Sequence, residues 1–229
     1  MKRGRLIAIE GTDCSGKQTQ SELLAERLRR EGVDVIRYSY PDYDSPTGKI
    51  VGGPYLGKAY ICDGWFPEGA SNVDPYVAAL YYAADRRYNA PKIRKWLDAG
   101  KTVLLDRYVQ SNMAHQGGKI SSLARRRELY KWLENLEYKL LELPRPDTTI
   151  FLHMPYEAAL VLKQGRTAEA ADQHEASESH LRRAERVYLE LAQLYGFRTI
   201  KCSHAVDGKQ LPRTIDSIAD DVYSSISQK

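Results

Sequence analysis

Short apolar runs alternate along the chain with longer segments whose apolar residues recur at helical spacing. Each run has the length of a strand and ends in polar or glycine residues, as buried strands of parallel sheets do. The predicted strands cover residues 5–10, 34–40, 102–108, 148–154 and 197–202. Because helical segments separate them, the pattern predicts one α/β domain over residues 1–229, with a five-stranded parallel sheet flanked by helices on both faces.

Apolar residues one helical turn apart predict the intervening helices. The first helix lies within residues 15–32. The longest runs from Asp74, a candidate N-cap, to Gly100, and Pro91 should kink or divide it. Two further stripes are typical of helices that face a core: Leu129, Leu133, Leu136 and Leu140, and then Leu181, Ala184, Tyr188, Leu191 and Tyr195.

Residues 41–73 are the least regular part of the sequence and are rich in Gly, Pro and Tyr. A stretch of this length is too long for a plain connection, and long loops in compact domains are usually functional. We therefore expect this segment to contribute to a site.

Composition narrows the class of protein. The chain has 229 residues, 42% hydrophobic and 28% charged, with a net charge of +4. No apolar run is long enough for a membrane span or a signal peptide, and no basic stretch interleaved with aromatics predicts nucleic-acid binding. Three scattered cysteines favour a reducing compartment, and the histidines lack metal-site spacing. A mild positive charge suits small anionic ligands.

Residues 11–17 fit the pattern G-x-x-x-x-G-K between a predicted strand and a predicted helix. In that context glycines let backbone N–H groups curl around phosphates, the helix N-terminus adds positive charge, and Lys17 reaches the β- and γ-phosphates. The predicted phosphate-binding residues are Gly11, Thr12, Asp13, Cys14, Ser15, Gly16, Lys17, Gln18 and Thr19.

Two residues of this loop depart from the simplest pattern. Gln18 stands where a Ser or Thr usually binds Mg²⁺, so its role as a metal ligand is doubtful and the ion would rest on phosphates and waters. Asp13 puts a carboxylate into a phosphate cradle. It should serve another purpose, such as accepting a hydrogen bond from a sugar hydroxyl, unless it is only a solvent-facing loop residue.

A second group of polar residues follows the third predicted strand, at the edge where α/β proteins bind ligands. Asp106 ends the strand, as a carboxylate binding Mg²⁺ through water would, and Arg107 follows, as a guanidinium gripping a phosphate would. A structural Asp–Arg pair is the alternative. The next residues bring further polar groups to the same place: Ser111, Asn112, His115 and Gln116.

Two other segments supply candidates. Tyr82 and Arg86 are four residues apart on a predicted helix, so a flat ring and a cationic donor share one face and could grip a nucleobase. Residues 162–175 interrupt two helices, and Lys163 and Arg166 there could close over phosphates as a lid. A solvated loop is the alternative for this segment.

Together the motifs EGTDCSGKQTQ, YPDYDSPTGK, YYAADRR, DRYVQSNMAHQG and DQHE resemble thymidylate kinases, in order and spacing, from about residue 6 to 195. The resemblance implies a P-loop kinase fold with an acceptor region at about 41–118 and a short lid at about 163–174. It also implies transfer of the γ-phosphate of ATP to dTMP with Mg²⁺, a cytoplasmic location and a homodimer formed through helices beside the sheet.

The resemblance implies roles for individual residues as well. The P-loop residues named above would bind ATP, and catalysis would rest on Lys17, Arg107, Arg166 and Asp13. Asp13 and Tyr43 would lie near the acceptor sugar, Tyr82 would stack on thymine, Arg86 would contact its carbonyl edge, and Arg107 would bind the acceptor phosphate. The remaining residues of the dTMP pocket would be Ser111, Asn112, His115, Gln116 and Asp172, with Asp106 on the Mg²⁺ side.

Some positions differ from relatives. Cys14 follows the loop Asp where some relatives carry Arg, so the catalytic cation should come from the lid, as Arg166. His115 stands where many relatives have Tyr close to the sugar 2′ position, and Asp42 replaces a basic residue of some relatives. Three alternatives stay open: a deoxynucleoside kinase, a monophosphate kinase for dUMP or UMP, and a nucleotide-binding regulator without catalysis. Residues 204–216 are a candidate region for adenine contacts.

Overall fold

The computed structural model describes residues 3–164 and 178–227. It confirms the five-stranded parallel sheet, whose order is β2-β3-β1-β4-β5 with β1 at the centre. The strands are β1 (Leu6–Gly11), β2 (Val35–Ser39), β3 (Thr102–Asp106), β4 (Thr148–His153) and β5 (Arg198–Lys201). Each predicted strand is present. β1 begins and ends one residue later than predicted, and the other four strands are shorter than predicted. The carboxyl ends of β1, β3 and β2 meet at one edge, where the candidate site lies.

Helices cover both faces of the sheet. They are α1 (Lys17–Arg30), α2 (Pro46–Ile50), α3 (Pro75–Asp98), α4 (Val109–Gly117), α5 (Leu123–Glu134), α6 (Tyr156–Gln164), α7 (Glu178–Tyr195) and α8 (Ile215–Ser227). Alternate residues of β1 belong to different cores: Leu6 packs with residues of α3, α4, α5 and α7, whereas Ile7 packs with residues of α1, α6 and α8. Period-two alternation within an all-apolar strand therefore gives the sheet two buried faces.

Of the two outcomes predicted for Pro91, a kink or a division, the division does not occur, because α3 is continuous from Pro75 to Asp98. A proline inside a helix costs about 3 kcal/mol. Ile93 and Leu97, beyond the proline, are buried in the same core as Ala79 before it. Burying such side chains contributes roughly 1.5–3 kcal/mol each, so packing outweighs the lost backbone hydrogen bond.

The predicted stripe from Leu129 to Leu140 is wrong in its second half. Leu129 and Leu133 are fully buried, but Leu140 is 68% exposed. A π-helical turn at Asn135–Leu140 follows α5 and inserts one extra residue into the helical repeat. The inserted residue rotates the helix face that is directed at the core. Glu137 therefore lies on the buried side in place of Leu140, and it is 0% exposed.

The irregular segment 41–73 has its own small core. It contains α2 and a π-helical turn at Val51–Tyr55, and it packs against the start of α3. Together with Ala78 of α3, its buried apolar residues form a cluster separate from the two sheet cores: Val51, Tyr55, Leu56, Ala70 and Val73. We call this group the acceptor-side cluster, because it backs the pocket described below.

A hairpin that the sequence did not predict, β6 (Ser203–Val206) paired antiparallel with β7 (Lys209–Pro212), lies between β5 and α8. It occupies most of the region that the sequence suggested for adenine contacts. Within the described part of the chain, none of the helices combines the length and apolar character of a membrane span.

Candidate active site

The phosphate-binding loop joins β1 to α1 in a conformation that requires its two glycines. Gly16 has φ 83°, in the left-handed region, and α1 begins at the next residue, Lys17. A Cβ on Gly11 would lie 2.8 Å from the Leu152 carbonyl oxygen of the neighbouring strand. The loop therefore approaches β4 closely and leads straight into a helix N-terminus, which favours bound anions.

Lys17 lies at the base of this loop and is 7% exposed. Its Nζ donates to the carbonyl oxygen of Thr12 at 2.7 Å. Burial, reinforced by the charge of Arg107, lowers the pKa of Lys17 to about 8, although Asp13 and Asp106 oppose the shift. The ammonium is held with little water around it, so a polyphosphate entering the loop would find a poorly solvated cation.

The lowered pKa of Lys17 predicts a pH-dependent affinity for the ATP that the sequence places at this loop. Bound phosphates stabilise the ammonium, so affinity should be constant below pH 8 and fall above it, by up to about tenfold per pH unit. Binding at pH 8.5 should take up most of one proton, which calorimetry in buffers of different ionisation enthalpy measures. Lys17→Met should abolish this uptake, and uptake unchanged in that variant would assign the proton to another group.

Arg107 joins the loop to the segment after β3. Its Nη2 is hydrogen-bonded to Asp13 Oδ1, and its Nη1 lies 3.2 Å from the Gly11 carbonyl oxygen and 3.4 Å from Ser111 Oγ. Burial opposes the charge, but the Asp13 carboxylate raises the pKa of Arg107. Arg107 has φ 65° and Cys14 has φ 62°. Such conformations cost about 1–3 kcal/mol each in residues other than glycine and are common at functional sites.

Glu10 is a central residue that the sequence analysis missed. It is 0% exposed and accepts hydrogen bonds from Tyr108 N at 2.8 Å, Ser111 Oγ at 2.6 Å and Tyr188 Oη at 3.0 Å. Burial raises the pKa of Glu10, while these bonds and Arg107 oppose the shift. Its carboxylate thus clamps the peptide directly after Arg107. A charged residue inside an otherwise apolar strand was the signal that could have revealed it.

A pocket of about 70 Å³ opens beside Arg107. It brings together every predicted acceptor residue that the structure describes: Asp13, Tyr43, Tyr82, Arg86, Arg107, Ser111, Asn112, His115 and Gln116. Tyr40, Pro41, Leu56, Asp85 and Tyr108 complete the wall. Gln116 is 0% exposed, and neither atom of its amide meets a hydrogen-bond partner among the described residues. The pocket is therefore built with polar groups that a ligand would satisfy.

A wider cleft of about 700 Å³ adjoins the pocket and shares Asp13 and Arg107 with it. Lys17, Asp106, Cys14, Gly16, Gln18 and Thr19 lie along it. The side chain of Gln18 turns along α1, where its Nε2 donates to Glu22 at 3.2 Å. Asp106, at the end of β3, lines the same cleft as Lys17. It is the carboxylate that the sequence analysis assigned to Mg²⁺. Two cavities that meet at Arg107 suit two anionic ligands placed end to end.

The walls of the pocket are held by buried acids. Asp85 accepts hydrogen bonds from Asp42 N, Ser45 Oγ and Thr47 Oγ1 at 2.9–3.0 Å, and so fixes the turn that leads into α2. Burial raises the pKa of Asp85, although these bonds oppose the shift. Glu137, on the π-helical turn after α5, holds Arg86 and Asn112 on the other side. Sequence periodicity gave no signal for Glu137, because a continuous α-helix through this segment would place Leu136 and Leu140, and not Glu137, on the buried face.

His115 connects the pocket to α7. Its Nε2 lies 3.4 Å from Arg107 Nη1, and its Nδ1 lies 3.1 Å from Nε2 of the fully buried His180. An arginine only donates, so a hydrogen bond between these two groups requires a neutral His115 with the proton on Nδ1. Most of the predicted lid, including Arg166 and Asp172, falls outside the described residues, whereas Lys163 lies at the end of α6.

Three comparisons with known proteins bear on this site. The family model described as thymidylate kinase matches residues 9–209. The probable thymidylate kinase of Thermococcus onnurineus is 34% identical over 189 residues, which is 79% of this chain and 84% of that protein. The thymidylate kinase of Mycobacterium tuberculosis is 32% identical over 215 residues, covering 92% of this chain and 96% of that one.

The fold has a counterpart among solved structures. A thymidylate kinase structure from Candida albicans matches with a TM-score of 0.74 at 24% identity, covering 98% of this chain and 91% of the other. This likeness supports the fold, and the sequence matches extend across both the loop and the pocket.

Proposed function

The chain belongs to the thymidylate kinase family, and from this premise we propose that it transfers the γ-phosphate of ATP to dTMP, giving dTDP and ADP. The observation that carries the proposal is the position of Arg107 between two cavities. One cavity contains the phosphate loop with Lys17, and the other contains aromatic and amide side chains suited to a nucleobase. ATP would occupy the first and dTMP the second.

The chemistry requires position and charge more than a strong base. The acceptor is a phosphate oxygen with a second pKa near about 6, so it is already ionised at neutral pH. The difficulty is repulsion between two polyanions and the charge on the transferring group. Arg107 and Lys17 reduce both problems, because Lys17 lies along the cleft and Arg107 lies where the cleft meets the pocket. Asp13, already hydrogen-bonded to Arg107, orients that guanidinium and would meet the acceptor sugar.

The residues of the cleft fit a Mg²⁺ ion that is held mainly by phosphates and water. No group of three or more His, Cys, Asp or Glu in the described residues could hold a metal by itself. Asp106 is a hard oxygen donor at the cleft, so the ion would rest mainly on phosphates and water, with Asp106 as an outer partner. When bound, the ion supplies positive charge on the ATP phosphates. Gln18, engaged with Glu22, contributes little to it.

The acceptor pocket explains how a thymine ring would be held. Tyr82 offers a flat ring, and Arg86 and Asn112 offer polar atoms at one end of the pocket. Tyr43 lies at the boundary of both cavities, as a residue near the acceptor sugar would. His115 and Gln116 complete the polar wall. The contributions of Arg166 and Asp172 remain predictions from the sequence.

A coupled ADP-release assay with ATP and Mg²⁺ tests the proposal directly. Activity should be highest with dTMP, and thymidine should give none above background. Turnover of thymidine in place of dTMP would indicate a deoxynucleoside kinase, and comparable rates with dUMP or UMP would indicate a broader monophosphate kinase. Release of ADP with none of these acceptors would leave only nucleotide binding.

The same family membership supports a homodimer. Helix α3 presents an apolar stripe to solvent, in which Val77 is 42%, Leu80 49% and Tyr88 55% exposed. Ala84 continues the stripe at helical spacing. An apolar strip of this kind on a long helix beside the sheet is suited to packing against its copy in a second chain.

The dimer gives a prediction for Leu80. Leu80→Glu should convert the protein to a monomer at micromolar concentration, because a carboxylate would be buried against apolar side chains. Light scattering after size exclusion measures the mass. Val161→Glu is a matched control, since Val161 on α6 is exposed to a similar extent, 45%. A monomeric parent protein, or a dimer that survives Leu80→Glu, would contradict the proposed interface.

A further inference from the structure

Resting on the proposed function, we infer that Glu137 sets the base preference of the acceptor pocket by fixing which polar atoms of Asn112 and Arg86 are available to the base. Glu137 is fully buried and lies on the π-helical turn after α5. It acts as a positioning residue through two pocket side chains. The consequence is a pocket with a defined donor and acceptor order.

Glu137 first determines the orientation of the Asn112 amide. Asn112 Nδ2 donates to Glu137 Oε1 at 3.1 Å and to the Ala79 carbonyl oxygen at 3.1 Å. Both N–H groups are thus used, and a flipped amide would put its oxygen against a carboxylate and a carbonyl. The amide oxygen, Oδ1, is buried without a hydrogen-bond partner among the described residues. Asn112 can therefore offer a ligand only an acceptor.

Glu137 also determines which part of Arg86 is available. Its Oε2 accepts from Arg86 Nε at 2.5 Å and its Oε1 from Arg86 Nη2 at 2.6 Å. These two hydrogen bonds fix the plane of the guanidinium group, and Nη1 is the nitrogen that does not bond to Glu137. The Glu137 carboxylate raises the pKa of Arg86 even though burial opposes the charge. Arg86 can therefore offer a ligand only a donor.

An acceptor from Asn112 beside a donor from Arg86 matches one class of pyrimidine. Thymine and uracil present an N3–H donor next to the O4 acceptor. Cytosine presents the reverse, an N3 acceptor next to a 4-amino donor. In this pocket its acceptor would face the Asn112 oxygen and its donor would face the Arg86 N–H group. Sites built around specific hydrogen bonds reject ligands that leave them unpaired by large factors. The pocket should select 4-keto pyrimidines by polarity.

The parent enzyme gives the first test, with dTMP and 5-methyl-dCMP as probes. The two nucleotides have the same ring and 5-methyl group and differ at N3 and at the 4-position. We expect kcat/KM to be at least about 10²-fold higher for dTMP. Equal values would overturn the inference while leaving the kinase activity intact, whereas absence of turnover with dTMP would overturn the proposed function instead.

Glu137→Gln gives the second test. A glutamine replaces one carboxylate oxygen by an NH2 group, which donates where Glu137 only accepts. With that group facing Asn112, the Asn112 amide can flip and offer the base a donor, so the dTMP preference should fall below about tenfold. A loss of rate with both nucleotides at an unchanged ratio would mean a merely structural role and would overturn the inference. Glu137→Asp keeps the carboxylate and should retain the preference even at a lower rate.

A matched control and a safeguard complete the design. Glu134→Gln alters a neighbouring, partly exposed glutamate that pairs with Arg145 and should leave the ratio unchanged. If Glu137→Gln does not fold, because breaking a buried ion pair is strongly destabilising, the parent ratio and the Glu137→Asp ratio still decide. Loss of the preference in a folded Glu137→Asp protein would count against the inference.

Discussion

Replacing Arg107 by alanine is expected to lower kcat/KM for dTMP by about 10³-fold, the scale reported for a cation that stabilises a transferring phosphoryl group. Arg107 reaches Gly11 of the phosphate loop and lines both cavities. Its loss would remove the proposed contact with the acceptor phosphate and leave Asp13 without its hydrogen-bonded cation. Both a higher KM for dTMP and a lower kcat should result.

Arg107→Lys separates charge from geometry. A lysine keeps the charge but not the planar fork that reaches Asp13, Gly11 and Ser111 together, so activity should fall between the parent and Arg107→Ala. Arg145→Ala, which removes a 59%-exposed arginine paired with Glu134, is a control that should remain near parent activity. Rates for Arg107→Ala within tenfold of the parent, in a folded protein, would remove Arg107 from the mechanism.

Replacing Arg166 by alanine is expected to lower kcat by about two orders of magnitude or more, the scale of losing one charge-stabilising donor. The expectation comes from Cys14, which packs against the core around α1 and offers no cation in the loop. Arg37 is another cation that lines the cleft, but its Nη1 is paired with Glu22 at 2.9 Å.

Arg37 therefore provides the comparison. Arg37→Ala should change kcat by less than about threefold, since surface pairs of this kind contribute little. Steady-state kinetics with saturating ATP and dTMP measure both variants. A large loss for Arg37→Ala together with normal turnover for Arg166→Ala would transfer the role from the lid to β2.

Much of the fold could be predicted because strand and helix patterns agree with the tertiary structure. The five strands stand out as apolar runs, and the glycines at 11 and 16 mark the loop between β1 and α1. Pro91 misled the prediction because local preference was outweighed by burial of Ile93 and Leu97. Periodicity fails wherever packing energy overrides a local rule.

The candidate site was predictable to the extent that its residues lie in short motifs. The described members of the predicted acceptor set line one pocket. Glu10, Glu137 and His180 were missed because their partners are far away in sequence, such as Tyr188 for Glu10 and Arg86 for Glu137. A buried carboxylate gains its meaning from long-range hydrogen bonds, which no spacing rule encodes.

The acceptor-side cluster has a consequence for how this enzyme family could diversify. Its six buried apolar residues belong to neither sheet core, yet Leu56 lines the acceptor pocket. Substitutions there should act first on local opening of this segment. Natural variation in the acceptor-side cluster would therefore change which acceptor is preferred, while the phosphate loop and the two sheet cores keep their own packing.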